Sequence, residues 1–543
     1  MTKITYLAII GMALVGMLCP SCQLADIPDL RGNEEDNQTT NLSSAGLQCT
    51  AQAEETDYQL FKMSNDGYRI GDLAPFYDQS SGEFVVYHLK DIWDDPSNQR
   101  HPVHAFTTTN FYNYKEKGEI IASSPNTCAQ DFAVGAASFI KEGSTYYGFY
   151  TGHNPNSGPC GTYREGIMLA TSSCPTSTFT KDTTFNTINV PLGQGFDEND
   201  NFRDPYVFKD NDIFYMLVSA RKDVGGTMKG VIIYYSSPDL KNWTYQGVLY
   251  DGGPDNYWMM ECAQVFKIGS TYYLMYSDQI DKYFVYRKSS SLTGPWSEPT
   301  GHERFVGKGI FAAKAVTDIY GDHYLMGWNN ILSDHMDSGS WAWGGNMVVH
   351  KIYPLPDGDL AAAIPHTVEN YLKTDTDTIT VNSQWGNVTN TQTGSHSYRL
   401  ISPADFDVAN VIFDPIDKER FMISTTMSFD SSDKDFGFMI GACDGYNDFF
   451  SLRFIPSENR FSFDKANRSE LTTTSEAVND VPLTLSPNTD YDIKIVIENS
   501  VLVVYINNQV ALSNRIYKAS NTNWGIFTDH SDVTFSDIKL SIP

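Results

Sequence analysis

Three acidic residues stand at the heads of apolar, aromatic-rich runs: Asp72 in Gly71-Asp-Leu-Ala-Pro-Phe-Tyr, Asp204 in Asn201-Phe-Arg-Asp-Pro-Tyr-Val-Phe, and Glu261 in Glu261-Cys-Ala-Gln-Val-Phe. Two carboxylates flanking a glycosidic bond can hydrolyse it, one attacking or activating water while the other protonates the leaving oxygen. A third acid near an aromatic wall can hold sugar hydroxyls. The three lie far apart in sequence, so only a fold that returns strand starts to one place can use them together.

Each run opens a repeated pattern of an apolar segment, a polar turn and a second aromatic and aliphatic segment. Gly135 to Ile140 and Ala312 to Thr317 complete the set, and the five second segments begin at Phe84, Tyr146, Ile213, Tyr272 and His323. Short β-rich runs split by Gly, Asp, Asn and Ser read as hairpins. Five of them spaced roughly 50 to 70 residues apart read as the blades of a β-propeller, whose strands bury both faces only when the ring of sheets closes. The innermost strands of a propeller converge on its axis, so the three acids would meet in one funnel. Asp204 aligns with Asp72, but Glu261 sits one place earlier in its run. A one-residue slip turns a side chain to the other face of a regular strand, so Glu261 is expected at a strand end or a bulge.

The 543-residue chain has room for two or three domains. Charged residues make up 19% and aromatics 13%, which suits a β-rich globular protein rather than a disordered one. A net charge of −28 repels nucleic acid and anionic surfaces and favours neutral ligands. No Cys or His cluster has zinc spacing and there is no phosphate loop, so neither metal nor other cofactor is predicted. Lys3 and the apolar run Tyr6 to Leu18 form the first two regions of a signal peptide, too short to span a membrane. The run ends in Leu18-Cys-Pro-Ser-Cys22, and Ser21 before Cys22 matches a bacterial lipoprotein signal. Residues 1–22 are thus expected to be a lipoprotein signal peptide, with Cys22 lipidated and membrane contact made only through that anchor, at the outer membrane. Ordinary secretion is the alternative. The acidic, Asn-, Thr- and Ser-rich stretch 23–56 reads as a polar tether. Export permits disulfides; of the cysteines that follow, Cys160 and Cys174 share the second repeat and are a candidate pair, though sequence does not fix the connectivity, whereas Cys262 is explained by its place beside Glu261.

The repeats occupy 57–365 and close with a strand from Gly344 and a tight turn at Asp357-Gly358. Residues 366–396 are polar and read as a connector. From 397 to 543 the pattern changes to simple alternation, with strands expected at Phe421–Phe429, Phe436–Gly441, Phe449–Ile455, Arg460–Asp464, Tyr491–Ile497, Val501–Ile506, Trp524–Thr528 and Val533–Ser541. Many short strands without a helical period predict a β-sandwich. It has no comparable acid pattern, and its role is structural or sugar-binding. The whole chain is therefore expected to be all-β, a five-bladed propeller followed by a C-terminal sandwich.

Arg203-Asp-Pro, Glu261-Cys, Phe311-Ala-Ala-Lys314 with Gly327-Trp328, and the closing stretch Asn346 to Leu360, in this order, resemble glycoside hydrolase family 32, the fructan hydrolases and invertases. The resemblance implies a retaining hydrolase of β-fructofuranosyl linkages in fructans or sucrose-type oligosaccharides, with an oligo- or polysaccharide as its partner; no oligomeric state is read from it. It implies that Asp72 is the nucleophile, Asp204 the residue that binds fructose hydroxyls and stabilises the transition state, and Glu261 the acid/base, with Arg203 and Cys262 beside them. Tyr150-Thr151-Gly152 would line the sugar site. Trp258 and Trp328 are candidate sugar platforms or core residues. The roles require Glu261 protonated and Asp72 ionised at working pH. Two motifs depart from the family: Asn-Asp-Pro-Asn-Gly is here Ile70-Gly-Asp-Leu-Ala-Pro, and Glu-Cys-Pro-Asp is here Glu261-Cys-Ala-Gln. A related five-bladed arabinosidase or xylosidase also uses two Asp and one Glu, though Arg203-Asp-Pro and Glu261-Cys speak against it. A surface glycan-binding protein that keeps the fold without turnover is a third reading.

Overall fold

The computed structural model describes residues 56–64, 68–91, 100–301, 303–376, 379–392, 395–402, 408–432, 435–442, 449–466, 478–517 and 522–543. The expected signal peptide, lipidated Cys22 and most of the tether lie outside the described residues.

Five strands head the five repeats: β1 (Arg69–Asp78), β2 (Ala133–Glu142), β3 (Phe202–Asp210), β4 (Met260–Ile268) and β5 (Phe311–Thr317). Each pairs antiparallel with the next strand across the predicted turn. Neighbouring sheets stack face to face, which is why these strands read as near-continuous apolar runs; β5 is buried in all but its last residue. The first strands touch in a cycle, β1 on β2, β2 on β3, β3 on β4, β4 on β5 and β5 on β1. The ring is closed by hydrogen bonding of the strand Trp341–Pro354 to β1 at Gly345 and Ile70.

All five first strands carry a β-bulge at the same height. Two residues face one across the hairpin: Asp72 and Leu73 against His88, Gly135 and Ala136 against Thr151, Asp204 and Pro205 against Val218, Cys262 and Ala263 against Tyr276, Ala312 and Ala313 against Gly327. In four of them the first bulged residue is left-handed, with φ 41° at Asp72, 61° at Asp204, 52° at Cys262 and 49° at Ala312. Such a backbone costs a non-glycine residue roughly 1–2 kcal/mol, and a bulge re-aims the side chains on either side of it. Asp72 and Asp204 occupy the bulge itself and Glu261 immediately precedes one, which resolves the one-residue offset seen in the sequence.

In three of the bulges the exposed amide finds a side-chain oxygen on the preceding unit. Asp204 N donates to Thr151 Oγ1 at 3.0 Å, Cys262 N to Asp204 Oδ2 at 3.0 Å, and Ala312 N to Ser277 Oγ at 2.9 Å. Three residues further along the same strands, Val207 N donates to Ser138 Oγ at 2.9 Å and Ala315 N to Gln264 Oε1 at 2.6 Å. Lys314 reaches from β5 to the Ala137 carbonyl of β2 at 3.1 Å. Side chains thus replace ladder hydrogen bonds that the bulges remove.

The C-terminal sandwich packs an eight-stranded sheet on a seven-stranded one over a core that includes Phe436, Phe454, Ile495 and Leu502. All eight strands expected there are present. The stretch 366–396 is not a simple connector: after the helix His366–Tyr371, the strands Thr374–Thr376, Val381–Trp385 and Asn387–Asn390 pair into the two sandwich sheets. They are mostly exposed, so they lack the apolar alternation that marks a strand in sequence. The candidate pair Cys160–Cys174 is not formed. Cys160 bonds to Cys128 with a Cα–Cα distance of 5.1 Å, and Cys174 is disulfide-bonded elsewhere. The strand Glu165–Ser172 runs antiparallel to Thr145–His153 and carries Cys174 to the opposite end of its sheet, whereas the helix Ser157–Cys160 folds back toward the Thr127 carbonyl.

Propeller and sandwich share one apolar cluster, with Phe305, Ile352 and Leu360 packed among Val496, Val503 and Tyr505. Polar groups are matched across it. Arg515 donates to the carbonyls of Asn329 and Asn330 and to Asn346 Oδ1, and His350 Nδ1 lies 3.0 Å from Tyr505 Oη. The leading segment joins both domains: Thr56–Tyr58 pairs with Asn113–Lys115 of the first unit, while the Leu60 and Phe61 amides donate to the Glu498 carboxylate of the sandwich at 2.7 and 2.9 Å. A chain ending at Pro365 would expose this apolar face; it is expected to aggregate or to melt well below the full chain, and equal melting temperatures would refute a cohesive interface. Thr151→Val keeps the shape but strands the Asp204 amide, a loss of about 1–3 kcal/mol measurable by denaturant unfolding.

Candidate active site

The bulged ends of β1, β3 and β4 open into one cavity of about 760 Å³ lined by Asp72, Asp204 and Glu261 together with Arg203, Cys262 and Thr151. Arg203 organises it. Its Nη2 donates to Glu261 Oε1 at 2.6 Å, and its Nη1 lies 3.4 Å from Glu165 Oε1 and donates to Asn201 Oδ1 at 3.1 Å. Glu165 also accepts the Phe202 amide at 2.6 Å and sits 3.6 Å from His153 Nδ1. Burial pushes the Glu165 carboxyl up, but Arg203, His153 and the amide outweigh it and hold it at about 2.

The two aspartates shift the other way from Glu165. Burial, reinforced by the Glu261 charge, raises Asp72 to about 6, against a hydrogen bond from Trp328 Nε1 at 3.2 Å that favours its anion. Burial raises Asp204 to about 7, with Arg203 opposing and the charges of Glu261 and Asp72 adding to the rise. Three carboxylates around one cavity cannot all ionise cheaply, so the ionised nucleophile that the sequence calls for predominates only above pH 6 or so.

Thr151 lines the cavity, and its hydroxyl accepts the Asp204 amide. Cys262 is buried and free, and its amide is what holds Asp204. Tyr150, Trp258 and Trp328 are not among the lining residues. Tyr150 alternates with Thr151 and so points into the core, its hydroxyl on Asp131 at 3.1 Å. Trp258 carries Arg221 on its ring at 4.4 Å. Trp328 is fully buried and acts through Asp72 as a positioning residue. Gln264, in the altered Glu-Cys motif, faces away and exchanges two hydrogen bonds with Ala315 of β5. The sequence reading missed Trp341, Trp343, His101 and Lys282, all on the cavity wall. The signal for the tryptophans was Trp341-Ala-Trp343, just ahead of a Gly-Gly pair that reads as a strand start, and Gly71, where a Cβ would lie 2.2 Å from Trp343 Cζ2.

A ring of bulged strands that gathers three carboxylates around one arginine, trailed by a β-sandwich, defines a carboxylate-centred propeller of the sugar-cleaving kind. Residues 75–360 match the Glycosyl hydrolases family 32 N-terminal domain and residues 358–540 the GH32, BT1760-like, C-terminal domain; the chain belongs to glycoside hydrolase family 32. It is 30% identical over 182 residues to a sucrose-6-phosphate hydrolase of Escherichia coli, covering 31% of this chain and 38% of that one. A raffinose invertase of Escherichia coli is 21% identical over 63% of this chain and 66% of its own. The chain thus spans about two fifths and just under two thirds of these relatives. The structure of sucrose-6-phosphate hydrolase from Lactobacillus gasseri superposes with a TM-score of 0.65 at 16% identity, covering 87% of this chain and 90% of that one, which shows the shared fold.

A nucleophilic Asp72, as the sequence predicts, has to lose its proton to act, so on that assignment kcat/KM is expected to fall as pH drops through about 6. Trp328→Phe removes the donor that favours the anion, so the acid limb should move up by about one pH unit. An unmoved limb in a folded variant would show that the indole does not set the charge of Asp72.

Proposed function

We propose that the protein is a retaining glycoside hydrolase that cleaves β-fructofuranosyl linkages of fructans or sucrose-type oligosaccharides. The observation that carries the reading is the convergence of Asp72, Asp204 and Glu261 on one cavity in a chain of family 32. Asp72, held by Trp328, attacks the anomeric carbon of a fructosyl unit. Glu261 gives its proton to the leaving oxygen, and Arg203, which donates to Glu261 in the free protein, is positioned to take up the charge left behind. Water then attacks the covalent intermediate with Glu261 as base, and fructose or a fructosyl chain end leaves. Asp204, fixed by the Cys262 amide, faces the same space and accepts sugar hydroxyls as positive charge develops on the ring.

Wild type should release fructose or short fructans from at least one of sucrose, inulin and levan, followed by product chromatography. Asp72→Asn is expected to abolish turnover on every fructoside. Glu261→Gln should slow natural fructans by roughly 100 to 10,000 fold and spare a fructoside whose leaving group needs no proton. Wild-type turnover in Asp72→Asn would overturn the nucleophile assignment, and fructan binding by a wild type that cleaves none would make the protein a binding module.

A further inference from the structure

The wall of the cavity beside Glu261 holds a cation that the three-acid chemistry leaves unused. Lys282 lines the cavity, and its Nζ stands 4.4 Å from the ring centre of Trp341 and 5.2 Å from that of Phe311. Among the described residues no carboxylate comes within ion-pair distance of this ammonium. Burial lowers its proton affinity, while the charges of Glu261 and Asp278 oppose that. The backbone at Lys282 is left-handed, with φ 64°, in a turn closed by its own amide on the Asp278 carbonyl at 2.9 Å. A non-glycine residue in that conformation and a half-buried ammonium without an acceptor are both unfavourable, and a ligand that supplied acceptors would offset the second.

The position of the turn says which part of a ligand it meets. Lys282 follows the strand Thr271–Asp278, the partner of β4, and Gln279 N donates to the Met259 carbonyl at 3.2 Å. It therefore belongs to the sheet of Glu261, whereas Asp72 sits on β1. A general acid lies beside the departing oxygen, so a donor on its own sheet is placed for the departing sugar. The carboxylates of Asp72, Asp204, Glu261 and Glu165 line the same space against the cations of Arg164, Arg203 and Lys282, so the lining has no surplus of positive charge to favour an anionic substituent.

Resting on the fructoside reading, we propose that Lys282 binds the leaving part of the substrate, its ammonium donating to hydroxyls of the released sugar between the walls formed by Trp341 and Phe311, which makes an uncharged oligosaccharide extending past the cleaved linkage the preferred substrate. Ammonium–hydroxyl hydrogen bonds of this kind are charge-assisted.

The test compares wild type, Lys282→Met, which keeps an apolar stem, and Lys282→Arg on two donors: an oligofructan and a fructosyl halide whose leaving group is a single ion. Lys282→Met should lose about tenfold or more in kcat/KM on the oligofructan and far less on the halide, with Lys282→Arg recovering most of the loss. Equal losses on both donors, or none on the oligofructan, would overturn the proposal, as would a larger loss on a phosphorylated disaccharide than on the oligofructan. If wild type turns over neither donor, the fructoside reading has failed separately. Calorimetric affinity for the oligofructan then decides: about tenfold weaker binding by Lys282→Met sustains the assignment, and equal binding ends it.

Discussion

Five bulges at one height of the ring are the constraint on which the rest of this molecule depends. A regular strand places successive side chains on opposite faces, and a propeller built from regular strands would send only every second residue toward its axis. The extra residue in each first strand breaks that alternation where the strands converge. It lets Asp72 and Asp204 act from the bulge and Glu261 from the position before one, and it forces left-handed backbone on aspartate, cysteine and alanine alike. The unpaired amides that result are then used as fasteners between units. Asp204 shows how tightly function and architecture are joined: one oxygen of a carboxylate facing the cavity is also the acceptor that anchors the next unit through Cys262.

The same geometry sets the electrostatics. Burial drives Asp72 and Asp204 toward their protonated forms, and Arg203, clamped between Glu165 and Glu261, is the counterweight. Glu165 is the quiet member of this group. Held ionised by its partners, it fixes the guanidinium so that the other arm of the fork is aimed at Glu261. Coulomb attraction in a poorly solvated site is strong, so a small displacement of Arg203 would alter the charge of every acid around it.

Much of this was legible from residue order. The hairpins stood out because turn formers separate runs of β-branched and aromatic residues, and the late change to simple alternation announced the sandwich. The acids were legible because they open those runs and sit in Arg203-Asp-Pro and Glu261-Cys. The bulges were not, since an inserted residue leaves no mark in composition; only the offset of Glu261 hinted at one. Tyr150 and Trp328 illustrate a second blind spot. Both lie beside the site in sequence, yet strand alternation buries the first and a hydrogen bond to Asp72 occupies the second. Trp341 and Trp343 reach the cavity from a segment remote in sequence from the three acids, which is a property of ring closure rather than of local pattern, and Lys282 reaches it from the turn after the strand paired with β4. The disulfide was misjudged because proximity along the chain is undone by one strand length.

The leading segment has a mechanical meaning. Residues 56–58 are zipped to the outer strand of the first unit, and two residues further on the backbone is gripped by Glu498 of the sandwich. Burial raises that carboxyl to about 7, although the two amides and Arg420 favour its anion. A pull applied at residue 56 therefore loads both domains at once, in shear along a strand and through a hydrogen-bonded carboxyl clamp, and does not peel the ring open from one end. Because the folded carboxyl holds its proton more tightly than an exposed one, the buried contact costs least below about pH 7 and is weakened as pH rises through that value, so the tensile strength of the molecule is itself a function of proton concentration.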